Sequence, residues 1–174
     1  DTPVILTVSP YTGHSGSTIT DVDPTASGPS DRFFDLVEGA RLMERGYTYV
    51  VVDLPGFGGS GGCTDWGGPN EQLATKAAVE WAASMEGSTG KVGMYGKSYD
   101  GWTGLMAIAQ QPQGLAAVVA QEPVYSGYRY LYSDGIRFAQ AATMGPVFGA
   151  TNVQPGTTSD TVEYQANSAP TTPW

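Results

Sequence analysis

The chain has 174 residues, 40% of them hydrophobic, with 8 basic and 17 acidic side chains and a formal net charge of -9. It can bury a core and is not disordered by composition, and its scarcity of basic residues argues against nucleic acid or an anionic membrane as a partner. A single cysteine, Cys63, excludes an internal disulfide and any two-thiolate metal site, and no stretch approaches the roughly 20 apolar residues that a membrane-spanning helix needs.

The chain opens without Met on Asp1-Thr2-Pro3-Val4, already inside a strand-like run, and is expected to be an excerpt of a longer sequence. Val4 to Val8 is a β-rich apolar run, as in a strand buried on both faces. Ser9-Pro10-Tyr11-Thr12-Gly13-His14 stops it with turn residues, and a polar loop follows from Thr18 to Ser30. Ser30 or Asp31 can cap a helix whose apolar stripe is Phe34, Val37, Ala40, Leu42 and Met43, with Gly46 as its stop. Tyr49 to Asp53 is a second buried strand, and it ends in the glycine-rich loop Leu54 to Gly62. That loop lacks the Gly-Lys-Ser/Thr ending of a P-loop and the immediate helix of a dinucleotide fingerprint, so no phosphate-bearing cofactor is expected.

A helix is expected from Pro69-Asn70-Glu71 along Leu73, Ala77, Glu80 and Trp81, closed by Gly87 to Gly90. Lys91 to Tyr95 is the third strand. It runs directly into Gly96-Lys97-Ser98-Tyr99-Asp100-Gly101, where a strand turns sharply and hands over to a helix with its apolar side on Trp102, Leu105, Met106 and Ile108. This is the pattern of a nucleophile elbow, which exposes a serine hydroxyl on a strained turn. Gly96 permits a bend where a Cβ would clash, and Gly101 permits close packing of the helix. Asp100 stands where the more usual pattern has glycine, so on the hexapeptide alone an incidental serine is an equal reading. Leu115 to Ala120 is a fourth strand. The alternation of strands and helices predicts an α/β fold, with a parallel sheet covered on both faces and the elbow at the carboxyl end of a central strand.

A serine needs a base to take its proton and donors to stabilise the oxyanion. The backbone N–H of Tyr99 is one candidate donor, and the loop after the first strand is the expected source of a second. There Tyr11 is either that donor, through its phenol, or an aromatic packed at the strand end. His14, the only histidine, is either the base or, as the better reading, a loop-shaping or substrate-lining residue. Past Pro123 the tyrosines 125, 128, 130 and 132 cluster with Arg129 and Arg137, and Ala139 to Met144 looks helical. The remainder from Thr151 to Trp174 is rich in Thr, Ser, Pro and Gln and lacks a period.

Taken together, Ser9-Pro10-Tyr11, the Asp53 to Gly61 loop, Val79-Glu80-Trp81 and Gly90 to Gly101 resemble the X-prolyl dipeptidyl aminopeptidase (peptidase S15) and cocaine esterase group of the α/β-hydrolase superfamily. The likeness covers about the first 140 residues, and the group favours Gly-x-Ser-Tyr-x-Gly, so Asp100 fits. It departs at Leu54, where the group commonly has Arg.

The resemblance implies an incomplete α/β-hydrolase core over 1–124, and the start of a helical cap with a Thr/Ser/Pro-rich loop over 125–174. It implies a serine hydrolase with Ser98 as nucleophile, and with the Tyr11 phenol and the Tyr99 N–H as oxyanion hole. The triad acid and histidine are expected outside this chain, which alone should be inactive. The expected reaction, through a covalent acyl-enzyme, is release of Xaa-Pro dipeptides from peptide N-termini, with no cofactor or metal. An esterase or amidase of small acyl substrates, and a non-catalytic hydrolase-like binding module, are the alternatives. Glu122 and Tyr125 are candidate substrate contacts, Glu122 either for the substrate α-amino group or as a capping or salt-bridge residue. The Tyr128 to Tyr132 run resembles the opening of the cap in secreted members, so an extracellular protein is expected. Cys63 is either a small buried residue or the partner of a cysteine elsewhere.

Overall fold

The computed structural model describes residues 1–11, 33–57 and 60–142. Strands β1 (Thr2–Ser9), β2 (Thr48–Asp53), β3 (Ser88–Lys97) and β4 (Leu115–Gln121) form one sheet in the order β2-β1-β3-β4, and every pairing is parallel. All four expected strands are present, each longer than its apolar run. The β-rich apolar segments that can satisfy their backbone groups only against one another do so in register, with Leu6 beside both Val50 and Met94.

Helices α1 (Pro69–Ser84) and α2 (Tyr99–Gln110) make the crossovers into and out of β3. One face of the sheet, carrying Val4, Leu6, Val8, Val92 and Met94, packs on Ala78, Val79 and Ala82 of α1 and Met106 and Ala107 of α2. On the opposite face Phe33 meets Tyr95 edge-on at 5.2 Å, and the Thr7 hydroxyl donates to the Tyr95 carbonyl at 2.8 Å. In the described sheet β2 is an outer strand and only half-buried, where the sequence suggested full burial.

Two expectations about helices need correction, the first helix and the apolar side of α2, while α1 runs where the sequence places it. The segment after residue 33 is not a regular α-helix. It forms a π-helical turn over Asp35–Gly39 and a 3-10 turn over Met43–Arg45, stopped by Gly46 at φ +82°. The N–H groups of Ala40 and Leu42 reach back five residues, to Asp35 and Val37. This wider turn rotates the chain off the 3.6-residue period, so Phe34 and Met43 are exposed while Leu42 is buried. In α1 the inward face is Glu71, Thr75, Ala78, Val79 and Ala82, whereas Leu73 and Trp81 are 59% and 54% exposed. In α2, Met106 is buried but Ile108 is exposed, and Thr103 and Gly104 lie inward. The polar loop from Thr18, the Ser30/Asp31 cap and the segment from Thr151 lie outside the described residues.

Beyond β4 come a short helix, α3 (Gly127–Leu131), and a two-stranded antiparallel hairpin of β5 (Tyr132–Ser133) and β6 (Ile136–Arg137). The Tyr128 and Tyr132 rings stack at 5.3 Å, and the Gly135 N–H donates to the Tyr128 hydroxyl at 2.7 Å, which ties hairpin to helix. Of the helix expected over Ala139 to Met144, Ala141 and Ala142 are helical and the last two residues lie outside the described residues.

A Cβ on Gly96 would sit 2.3 Å from the Asp100 carbonyl oxygen, against backbone that cannot yield. Gly96→Ala should therefore destabilise the protein by about 3 kcal/mol or more. Gly39→Ala, with nothing within 4 Å of the added methyl, should stay within about 0.5 kcal/mol. Urea unfolding of the two variants measures both.

Candidate active site

β3 is an interior strand, so its carboxyl end opens between the loops that follow β1 and β4. There Ser98 adopts φ +63° and ψ -119° before α2 begins. Such backbone costs a non-glycine residue on the order of 1–3 kcal/mol and persists only where the surroundings impose it. They do so here: the Ser98 N–H donates to the Gln121 carbonyl at 3.0 Å, and its own carbonyl accepts from Trp102 N–H at 3.0 Å and Val124 N–H at 3.4 Å. The close passage of Gly96 under Asp100 sharpens the turn, and Gly101 lies tight against Gln121 and Pro123, with an added Cβ only 3.1 Å from each. The Thr103 hydroxyl, which lies 2.9 Å from the Val8 carbonyl and 2.8 Å from that of Asp100, fastens the first turn of α2 to β1.

Because β1 pairs with β3, the turn after β1 reaches the elbow. Ser9 Oγ accepts the Tyr11 N–H at 2.9 Å and shapes that turn, and the Tyr11 hydroxyl donates to Ser98 Oγ at 3.2 Å. The Tyr11 ring is buried in the core cluster with Leu54 and Phe57 of the glycine-rich loop, so the ring packs at the strand end while its phenol reaches the serine. Tyr99 follows Ser98 at the start of α2, where first-turn N–H groups have no intrahelical acceptor and the helix dipole favours negative charge.

Glu122 takes φ +42° immediately after β4. Its carboxylate is 3.8 Å from Lys97 Nζ, and its side chain is 82% exposed. A surface pair of this kind is worth about 0–1 kcal/mol, so exchanging Lys97 for another ammonium would cost little. Tyr125 is exposed and meets Tyr130 edge-on at 5.7 Å. His14 lies outside the described residues. Cys63 is exposed, not a buried small residue.

Sequence reasoning passed over Glu71. Its side chain is fully buried, and its carboxylate accepts from the Thr64 hydroxyl (2.7 Å), the backbone N–H groups of Asp65 (3.1 Å), Trp66 (3.1 Å) and Gly67 (2.8 Å), and the Tyr99 hydroxyl (2.6 Å). A glutamate in the first turn of a helix ordinarily signals a solvated dipole partner, and no local pattern marks this one as buried. The Tyr99 ring lies between Trp66 and Trp102, with centroids at 5.9 and 5.1 Å. Burial first, then the Glu71 carboxylate, hold the Tyr99 phenol well above its ordinary pKa of 10.0.

The sequence matches the family model described as X-Pro dipeptidyl-peptidase (S15 family) over residues 1–171. A provisionally named Xaa-Pro dipeptidyl-peptidase of Streptomyces avermitilis is 30% identical over 149 residues, which cover 76% of this chain and 22% of that protein. The Xaa-Pro dipeptidyl-peptidase of Lactobacillus helveticus is 26% identical over 119 residues, 60% of this chain and 15% of that one. The structure of a CocE/NonD family hydrolase from Staphylococcus aureus matches with a TM-score of 0.69 at 22% identity, over 87% of this chain and 28% of that one. An α-amino acid ester hydrolase structure matches with a TM-score of 0.53 at 28% identity, over 73% and 22%. The chain thus spans between 15% and 28% of the length of the curated relatives it matches. The fold is that of an α/β-hydrolase sheet.

A phenol whose pKa is raised on folding adds stability that is complete below about pH 10 and is lost as pH rises toward the folded value. Because the Tyr99 hydroxyl fills an acceptor site of the buried Glu71 carboxylate, the wild type should exceed Tyr99→Phe in Tm at neutral pH in pH-dependent thermal melts. That gap should narrow above pH 10. A gap that stays constant through pH 11 would contradict the assignment.

Proposed function

Starting from the premise that this chain belongs to the X-Pro dipeptidyl-peptidase (S15) family, we propose that it carries the nucleophile and oxyanion-binding half of a serine hydrolase active site. The observation that carries the reading is the Tyr11 hydroxyl 3.2 Å from Ser98 Oγ on a backbone held at φ +63°. Oγ attacks the acyl carbonyl carbon, and the oxygen that becomes negative is held by the Tyr11 O–H and the Tyr99 N–H. The Ser98 proton passes to a base and then to the leaving amine or alcohol, which departs as the acyl-enzyme forms. Water then adds to the acyl-enzyme, releasing the acid and returning the proton to Ser98. We assign the base to a histidine outside this chain, as the family resemblance implies, and not to His14.

The family match and the dipeptidyl-peptidase relatives favour peptides with proline second from the N-terminus as substrate. In that case Glu122, beside the elbow and in an exposed pair with Lys97, is our candidate for the substrate's α-amino group, and Tyr125 for a neighbouring contact. The similarity to an α-amino acid ester hydrolase favours a second reading, hydrolysis of small acyl esters.

In the complete protein, Ser98→Ala should abolish turnover and fluorophosphonate labelling. Tyr11→Phe should lower kcat by about 100-fold, the usual cost of one oxyanion donor, with KM within about twofold. Persistence of turnover in Ser98→Ala would overturn the mechanism, and a folded wild type with no Ser98-dependent turnover would point to a binding module. Xaa-Pro anilides compared with short acyl esters separate the two substrate classes, and an ester preference of several orders of magnitude would exclude the peptidase.

A further inference from the structure

The proposed oxyanion donor is a backbone N–H, and a backbone N–H is aimed by whatever holds its residue. Tyr99 is held at its far end, where the buried phenol donates to Glu71 at 2.6 Å. The same carboxylate gathers the successive N–H groups of Asp65, Trp66 and Gly67, with Trp66 and Gly67 at φ +51° and +75°. Successive N–H groups in such a turn form a concave anion site, and here the anion is a side chain of the protein. Gly67 in turn lies so close to Trp102 that an added Cβ would fall 2.3 Å from its ring, and the Trp102 N–H donates to the Ser98 carbonyl. One carboxylate therefore grips the first turn of α2 twice, through the Tyr99 hydroxyl and through the loop that rests on Trp102.

We infer that Glu71 is a positioning residue for the oxyanion hole: by anchoring the Tyr99 phenol and the 64–67 loop, it sets the direction of the Tyr99 N–H toward the reacting carbonyl. This rests on the serine hydrolase reading above. Glu71 is buried and touches no substrate; its effect on turnover passes through the first turn of α2, by way of the Tyr99 phenol and of the loop that rests on Trp102.

The decisive variant is Tyr99→Phe, which keeps the ring between Trp66 and Trp102 and removes only the anchor. Misplacement of a catalytic group by about 1 Å costs on the order of 100-fold, so in the complete protein kcat should fall about 10- to 100-fold with KM within about twofold. The substrate is whichever of Ala-Pro-4-nitroanilide and 4-nitrophenyl acetate the wild type turns over. Phenylboronic acid, which makes a tetrahedral adduct on serine, should lose affinity in the same proportion as kcat/KM. The Ki of the released acid product should stay within about twofold. Glu71→Gln should act in the same direction, and its combination with Tyr99→Phe should be clearly less than additive in kcat, because the Glu71–Tyr99 contact is common to both.

Wild-type kcat in Tyr99→Phe would overturn the inference. So would a fall in which KM, the product Ki and Tm all worsen together, or full additivity of the two substitutions. If Glu71→Gln does not fold, Tyr99→Phe alone decides. The underlying reading fails separately: then the wild type is insensitive to the boronic acid, or Ser98→Ala keeps its activity.

Discussion

A carboxylate taken out of water costs several kcal/mol unless its lone pairs are filled, and Glu71 is filled by five donors. Those donors come from the 64–67 loop and from the elbow helix, so satisfying one buried charge requires both to stand in fixed places relative to α1. The loop closes around the charge with Trp66 and Gly67 in left-handed backbone, a conformation open to glycine but uncommon for a bulky residue such as Trp66. Asp65 completes the arrangement from the other side: its carboxylate accepts the Asn70 and Glu71 N–H groups at 2.7 and 3.1 Å, satisfying the first turn of α1. The start of α1, the loop before it and the start of α2 behave as one unit.

Against that unit stands the strained serine. The backbone of Ser98 is held from β4 by Gln121, from α2 by Trp102 and from the following loop by Val124, and the approach of Gly96 to Asp100 is possible only without a Cβ. Strain at a site of chemistry persists when several rigid neighbours over-determine it, and each of these neighbours belongs to a different element. Tyr11 arrives by a separate route, at the end of β1, and reaches the serine because the two strands are paired in the sheet.

The strands were legible because apolar β-branched runs such as Val50 to Val52 and Val118 to Val119, bounded by glycine and proline, have few alternatives. The elbow was legible for a local reason: a glycine, a serine and a helix start must follow one another directly. The helix faces were not. In α1 the apolar Leu73 and Trp81 point outward, while Glu71 and Thr75 point in. A hydrophobic stripe cannot anticipate a core position occupied by a carboxylate whose donors come from elsewhere. The π-helical turn at Asp35–Gly39 escaped for a different reason, since one wide turn shifts every later residue relative to a 3.6-residue template.

By itself the sequence determined the order of strands and helices, the parallel sheet, the serine on its turn and the candidate tyrosine on the neighbouring loop. These rest on periodicity and adjacency along the chain, which are local properties. Only the tertiary structure decided that Tyr11 lies within hydrogen-bond reach of Ser98, 87 residues away, and that the Tyr99 hydroxyl donates to Glu71, 28 residues away, in the core. Such pairings depend on the direction in which two separate elements present their side chains, and that direction is set by packing, which no single stretch of sequence contains.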